Sequence, residues 1–577
     1  MDSHGSSGSA SSDHHKSSSS YHGDAARLKV NLQIMTYYAI SLAILMAIFI
    51  LGHWVRHLAL GLSRFKIFYP IAGLSRVVRR ICLRTLPGFA STGHAIVVII
   101  YVALNGLFSF YRIDYSKLSN VSARLGWMAA GNMTLVVFLA LRNTPLAILS
   151  AYSYERLRSL HKTAGYTTMI DVILHSSTYS YYYIHSDKTE KLREPKVKAG
   201  IIVGFSMLTL VATAMFLRRR NYELFYVIHV TLFTTIVTAL GLHRPELEKD
   251  RLLIVVILIA LMWLSDRLIR FVRLAYHSIN NEATVYPLPN GGTRIVLKKP
   301  ISRARPGKHC YIWLPHIRAF ETHPFTIVAT EPMELVINKC SGFTKDLHDY
   351  ACANPDGKLK ASIDGPYGTF PDPSKYNKVL LVAGGSGATF ALGLMANTLQ
   401  ELAPESKRQI DIIWVARDRD NISWFTRYLK DMLAHEAAHK ILLKLHLTRF
   451  TRDSTASKAP FRKSSPVSTI SENGSSLLPG APMPLTKDLE LDTLGREGGS
   501  MDKTSVAVDG LNLPVVYGRP DLEASIREAI ASTSPDGRVL VAACGPTGLV
   551  EAVRDTTAKC IRVDGPAVEL HCEQFSW

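Results

Sequence analysis

The sequence predicts a multi-span α-helical membrane bundle joined to a two-domain module, an antiparallel β-barrel followed by an α/β domain. Three observations carry this expectation. Residues 36–272 of the 577-residue chain are dominated by long apolar runs. After about residue 275, short alternating runs separated by Gly and Pro take over. From Lys378 a buried-strand run, KVLLVA, leads directly into a glycine turn and an apolar helical stretch.

Met1–Gly23 is rich in Ser, Gly and His and lacks the basic-then-apolar pattern of a cleaved signal peptide. With the rest of residues 1–35 it is expected to be a disordered tail outside the membrane. Seven segments then approach or exceed the roughly 20 residues that cover a hydrocarbon core of ~30 Å. They lie at 36–56, 93–112, 125–148, 161–184, 198–217, 221–243 and 252–271. The fourth and sixth carry polar residues that lipid-facing helices do not tolerate, which assigns them to the bundle interior.

Lys and Arg in the connections give the orientation. Arg64, Lys66, Arg76, Arg79, Arg80 and Arg84 follow the first span, Arg142, Arg156, Arg158 and Lys162 the third, and Arg218–Arg220 the fifth; Arg267, Arg270 and Arg273 end the seventh. This pattern places the N-terminus outside and the C-terminal region in the cytosol. The loop with Lys188, Lys191, Arg193, Lys196 and Lys198 runs against it, diluted by Asp187, Glu190 and Glu194. The formal charge of +19 sits largely in such loops, so nucleic acid is not the expected partner. All seven cysteines fall on the cytosolic side, which argues against a disulfide framework.

The fourth span contains His161 and His175, the sixth His229 and His243, and thirteen residues separate the members of each pair. Fourteen helical steps return to within about 40° of the starting face after a rise of about 21 Å. Two such helices facing each other at matched height offer two stacked bis-imidazole sites, a donor set that suits haem iron. His53, His57, His94 and His185 lie at span ends and read as interfacial. Asp171 could accept the second ring N–H of His175 or serve another buried donor.

In the following region, Thr293–Leu297, Cys310–Leu314, Phe325–Val328 and Leu335–Asn338 read as strands of a small barrel. The chemistry-bearing runs there are His323-Pro324-Phe325-Thr326, Gly342-Phe343-Thr344 and Gly365-Pro366-Tyr367-Gly368. The next domain opens with Gly384-Gly385-Ser386-Gly387-Ala388-Thr389, where glycines let backbone amides approach a pyrophosphate. Its strands IDIIWVA (410–416) and RVLVAAC (538–544) fit a doubly wound sheet, the latter ending in Cys544-Gly545-Pro546. Ser454–Lys503, rich in Ser, Gly, Pro and Thr, reads as a disordered insertion. Arg417 and Arg419 could pair a 2′-phosphate or belong to a solvated loop.

These residues resemble the fungal ferric/cupric reductases and, more distantly, the NADPH oxidases, over about residues 90–577 outside the insertion. The resemblance implies a haem-binding core at about 90–245 within the seven-span region. It also implies a ferredoxin-reductase-like module made of an FAD-binding barrel (275–375) and an NAD(P)H-binding domain (376–577). His161, His175, His229 and His243 would then be the axial ligands of two haem b. His323–Thr326, Gly342–Thr344 and Gly365–Gly368 would hold FAD; Gly384–Gly387 and Cys544–Pro546 would hold NADPH. Trp577 or Phe575 would stack on flavin, and Ala388 replaces a residue that is often β-branched in the family. The implied activity carries electrons from NADPH through the membrane to Fe(III) or Cu(II) chelates, or alternatively to O2. The implied setting is the plasma membrane, with a high-affinity metal uptake system as a partner. The sequon Asn120-Val121-Ser122 falls in an expected outer loop.

Overall fold

The computed structural model describes residues 10–62, 69–150, 154–244, 249–402, 405–449 and 503–574. The first part is helical: α1 (Ala10–Leu62), α2 (Tyr69–Cys82), α3 (Thr92–Phe110), α4 (Leu118–Ala140), α5 (Pro145–Ser150), α6 (Tyr154–His185), α7 (Pro195–Phe216), α8 (Tyr222–Leu242) and α9 (Lys249–His277). Among the described residues, six helices are long and apolar enough to cross a membrane: Ala25–Val55 within α1, then α3, α4, α7, α8 and, within α9, Asp250–His277. The expected fourth span is α6, which is long enough at 32 residues but too polar to pass on composition. It packs against α4 and α7 inside the bundle.

Three expectations need correction. Residues 10–35 form part of α1, and the packed bundle begins near Ala25 rather than at 36. Leu28, Asn31, Ile34 and Tyr38 are buried at helical spacing, and Arg124 Nε donates to Asn31 Oδ1 at 2.7 Å. Intervening polar residues hide this stripe in the sequence. The third span is Leu118–Ala140, shifted from 125–148. It stops because Asn143 turns the chain, donating through N and Nδ2 to Asp266 Oδ1 at 3.0 and 2.9 Å, and Pro145 opens the short α5. The sequon occupies the first turns of α4, where Ser122 is fully buried and donates to Leu118 O. A glycan would have to be added before that turn folds. Of the expected insertion Ser454–Lys503, residues 454–502 lie outside the described residues, and Lys503 is already part of a strand.

The second part holds β1 (Glu282–Leu288), β2 (Gly292–Leu297), β3 (His309–Trp313), β4 (His323–Thr330), β5 (Met333–Asn338), α10 (Phe343–Ala353), β6 (Gly357–Lys360) and β7 (Ser362–Tyr367). The strands form one antiparallel sheet in the order β6-β1-β2-β5-β4-β3-β7, with α10 against β1 and β2. Apolar residues alternate inward along these strands and meet Phe343 and Leu347 of α10 in the core.

The third part contains β8 (Lys378–Gly384), α11 (Ala388–Gln400), β9 (Gln409–Ala416), α12 (Arg419–Ser423), α13 (Thr426–Ala434), β10 (Ile441–Leu447), β11 (Lys503–Val508), β12 (Leu511–Tyr517), α14 (Leu522–Ala531), β13 (Arg538–Cys544), α15 (Thr547–Cys560) and β14 (Ala567–Glu573). Strand order is β11-β12-β10-β9-β8-β13-β14, parallel except for the edge strand β11. The order reverses between β8 and β13, so the helices that follow them, α11 and α15, leave the paired carboxyl ends toward opposite faces of the sheet. The two soluble domains meet closely at α11. A Cβ on Gly393 would come within 2.7 Å of Gly307 N, so only glycine permits this approach.

Candidate functional site

Helices α6 and α8 bring the four histidines together as two pairs. The His161 and His229 ring centres are 6.4 Å apart, and those of His175 and His243 are 6.1 Å apart. Glu223, at the start of α8, reaches Arg318 of the antiparallel domain at 3.8 Å, so His161/His229 is the pair proximal to that domain. His175/His243 is the distal pair.

Three of the four rings are fixed by backbone carbonyls. His161 Nδ1 lies 2.9 Å from Val136 O, His175 Nδ1 2.7 Å from Ser122 O, and His243 Nδ1 2.8 Å from Lys196 O. A carbonyl can only accept, so each Nδ1 carries the proton and each Nε2 keeps its lone pair. His229 Nδ1 is buried without a hydrogen-bond partner among the described residues. Its ring packs on Phe225 at 5.2 Å.

Two helix glycines make room for the distal pair. A Cβ on Gly126 would sit 2.8 Å from the His175 ring, and one on Gly200 would sit 2.5 Å from the His243 ring. Metal–imidazole bonds of about 2 Å on either side of one ion leave ring centres roughly 6 Å apart. The donor chemistry and both separations therefore fit iron held by two axial imidazoles. Among the described residues, no group of three or more His, Cys, Asp or Glu forms an alternative metal site.

Asp171 does not touch His175. It accepts from Asn132 Nδ2 at 2.8 Å, and Asn132 in turn accepts from Tyr38 and Tyr101 at 2.5 and 2.8 Å. The open alternative thus resolves to another buried donor. His94 meets Ser159 Oγ at 3.1 Å, and His185 stacks on Tyr181 at 3.8 Å.

In the antiparallel domain, β3 lies between the strands that carry two of the sequence runs. Thr326 is opposite His309, which is in turn opposite Tyr367; the His309 and Tyr367 rings stack at 6.0 Å and 27°. Gly368, at φ 88°, has its missing Cβ replaced by the His309 ring at 3.2 Å. Pro324 and Phe325 pair with Tyr311 and Cys310, while Gly365 and Pro366 bend the end of β7. His323 stacks flat on Phe343 at 4.1 Å and 15°. Glu321 faces its Nε2 at 3.0 Å, yet burial prevails and pushes the His323 pKa down to about 4, against a smaller pull upward from Glu223.

Phe343 itself is 2% exposed, its side chain turned into the domain core. Gly342, at φ 60°, opens α10, and Thr344 Oγ1 accepts from Cys340 N at 2.9 Å, so this run builds a turn.

Sequence reasoning missed His309 and Asp364. Asp364 is 1% exposed and accepts both contacts from Tyr367 Oη, at 2.8 and 2.9 Å. Burial and this carboxylate push the Tyr367 phenol above its ordinary range. Arg270 and Arg273 of α9 approach Asp364 at 3.5 and 3.6 Å, and Arg142 at 3.8 Å. Arg142 also lies 3.5 Å over the Tyr311 ring. This cluster joins the antiparallel domain to the helical bundle beside the proximal histidines. The basic run at the end of the last span announced the arginines but not their shared partner.

At the carboxyl edge of the parallel sheet the two expected turns converge. A Cβ on Gly387 would lie 2.2 Å from Cys544 O, and one on Gly384 would lie 2.7 Å from Pro546. Gly385, at φ 56°, faces open space, which leaves its backbone available to a phosphate at the start of α11. Ser386 is exposed there and its carbonyl accepts from Thr389 Oγ1 at 2.8 Å. Gly545 packs on Gly384. Ala388 is fully buried, so a small side chain suits the site. Burial raises the Cys544 thiol well above its usual range, which keeps it protonated and unreactive. Arg417 is exposed at the end of β9. Phe575 and Trp577 lie outside the described residues. None of the seven cysteines is in a disulfide.

Three family models match this chain in the order of its three parts. Residues 125–240 match the ferric reductase like transmembrane component, 278–370 an FAD-binding domain and 376–558 the ferric reductase NAD binding domain. The chain is a member of the ferric reductase transmembrane family. It is 25% identical to ferric reductase transmembrane component 3 of Saccharomyces cerevisiae, covering 97% of this chain and 79% of that one. Identity is 24% to ferric/cupric reductase transmembrane component 2 of the same yeast, covering 90% and 72%. A probable cell surface ferric reductase of Aspergillus oryzae is also 24% identical, over 64% of this chain and 55% of its own. With flavin- and nicotinamide-binding domains attached to membrane-spanning helices, the chain is an NAD(P)H-dependent oxidoreductase.

Proposed function

We propose that the chain is a transmembrane metalloreductase. It takes electrons from NADPH on the cytosolic side and delivers them to Fe(III) or Cu(II) chelates outside the plasma membrane, with FAD and two haem b as its electron-carrying groups. The observation that carries this reading is the pair of facing imidazoles repeated at two heights, 6.4 and 6.1 Å across. In this reading α6 crosses as a seventh span, its polarity tolerated because it faces the bundle interior. The N-terminus is then outside and both soluble domains are cytosolic.

His161 and His229 would hold the proximal haem, and His175 and His243 the distal one. In three of the four rings the carbonyl-bound Nδ1 proton fixes the tautomer and leaves the Nε2 lone pair, which would hold the iron. The FAD would lie against the His309, Thr326 and Tyr367 cluster, beside His323. There the arginines gathered on Asp364 keep the flavin domain against the proximal histidines. NADPH would place its pyrophosphate at Gly384–Gly387 and reach the Cys544–Pro546 edge. When bound, these groups supply the conversion of a hydride into single electrons and their relay across the bilayer. The released metal, in its reduced state, suits a high-affinity uptake system in the same membrane.

Proteoliposomes with outward-facing soluble domains test the acceptor. Addition of NADPH should reduce an impermeant ferric chelate trapped inside. A superoxide yield that exceeds metal reduction under air would assign the chain to the oxidases instead.

A further inference from the structure

Helix α2, between α1 and α3, is not needed for any part of the electron path. Its Leu74, Val77, Val78 and Ile81 are 40–65% exposed and follow the i, i+3, i+4, i+7 spacing of a single helical stripe. Another face of α2 is docked on the nucleotide domain. Gly73 packs on Val563, and an Arg76 guanidinium N–H donates to Val563 O. Just past the helix, Thr85 donates through N and Oγ1 to Asp555 at 2.7 and 2.5 Å. Along the edge between these faces run Arg76 and Arg80, one turn apart, with Arg84 just past the helix end. Arg562 of the loop after α15 completes a cavity of about 260 Å³ whose apolar wall includes Val77, Ile81 and Val563. Arg562 pairs with the exposed Asp564 at 3.5 Å, and neither Arg80 nor Arg84 has an acidic partner among the described residues.

A cavity ringed by guanidinium groups at the rim of an aliphatic stripe matches a molecule with a phosphate at one end and acyl chains at the other. Guanidinium forks bind phosphate in two-point fashion, and exposed aliphatic side chains gain by lying among acyl chains. Because α2 connects two membrane-crossing helices, its ends are held near the membrane surface. We propose that α2 lies in the membrane interface on the side of the nucleotide domain and binds an anionic phospholipid headgroup between Arg76, Arg80, Arg84 and Arg562. The headgroup then bridges α2 and the 561–563 loop, so the charge of the leaflet strengthens docking of the nucleotide domain.

The test uses the full-length protein in nanodiscs of phosphatidylcholine with a minor fraction of phosphatidylserine. Native mass spectrometry then counts the lipids retained after release. Wild type should keep phosphatidylserine over phosphatidylcholine. Arg80→Gln/Arg84→Gln should lose that retention about fivefold per arginine, with flavin content unchanged. Arg80→Lys/Arg84→Lys, which preserves charge, should retain most of it. Equal retention in wild type and the Gln pair, or equal loss in the Gln and Lys pairs, would overturn the proposal. Displacement of the lipid by inorganic phosphate would assign the cavity to free phosphate and overturn the lipid assignment.

Discussion

The proximal and distal histidine pairs share one sequence spacing yet are held by different means. At the distal level both Nδ1 atoms are bonded to carbonyls of neighbouring helices, and Gly126 and Gly200 open the space the rings occupy. At the proximal level, among the described residues, His161 Nδ1 is bonded while His229 Nδ1 is buried without a partner and its ring leans on Phe225. That level sits beside the flavin domain, through Glu223 with Arg318 and through Asp364 with α9. The distal rings are held by contacts within the bundle, whereas the proximal level lies next to the contacts that dock the flavin domain. Equal spacing in the sequence therefore conceals unequal support in the fold.

Gly200→Ala should have the largest effect, because it drives a Cβ into the His243 ring. We expect roughly half of the b-type haem absorbance to be lost and metal reduction to fall 10–100-fold, about the cost of disturbing a ligand's support. A haem content equal to wild type would break the distal half of the comparison. Asp364→Asn attacks the proximal level by leaving three arginines around a neutral amide. Removing one partner of such a buried cluster costs about 3–5 kcal/mol. Limited proteolysis between α9 and β1 should accelerate and NADPH-driven haem reduction should slow, with haem content unchanged.

Acidification should weaken the same region. Burial lowers His323 from 6.5 to about 4, so below pH 6.5 the unfolded ring takes up a proton that the folded ring refuses. Stability present above pH 6.5 is lost progressively toward pH 4, by about 3 kcal/mol. Thermal melts of the intact protein should show this slope, and His323→Gln should flatten it. The smallest effect is expected from Asp171→Asn, which perturbs a hydrogen bond to Asn132 and touches neither level. A stability loss of about 1 kcal/mol with both haem signals intact would sharpen the comparison; loss of the distal haem would restore a direct link to His175.

Much of this was legible because it depends on local pattern. The fourteen-residue histidine repeat and the glycine turn after KVLLVA each encode their own geometry, and both converge as their spacing implies. What the sequence hid depends on distant neighbours. Gly126 and Gly200 look like ordinary glycines in apolar helices until a ring from another helix is set against each. His309 lies in a strand with no motif of its own, and Asp364 acquires meaning only when α9 and the 142–143 turn close around it. Phe343, read as part of a binding run, turns inward because α10 needs an apolar anchor on the sheet. The start of α1 was missed for the same reason, since its buried stripe is recognisable only against α3 and α4.

The most direct test is a reduced-minus-oxidised spectrum of the purified protein beside His175→Ala. Wild type should show two b-type haems, both reduced by NADPH. The variant should retain one haem that NADPH still reduces, and should deliver no electrons to an external ferric chelate. Absence of b-type bands in wild type, or an unaltered haem content in His175→Ala, would contradict the account.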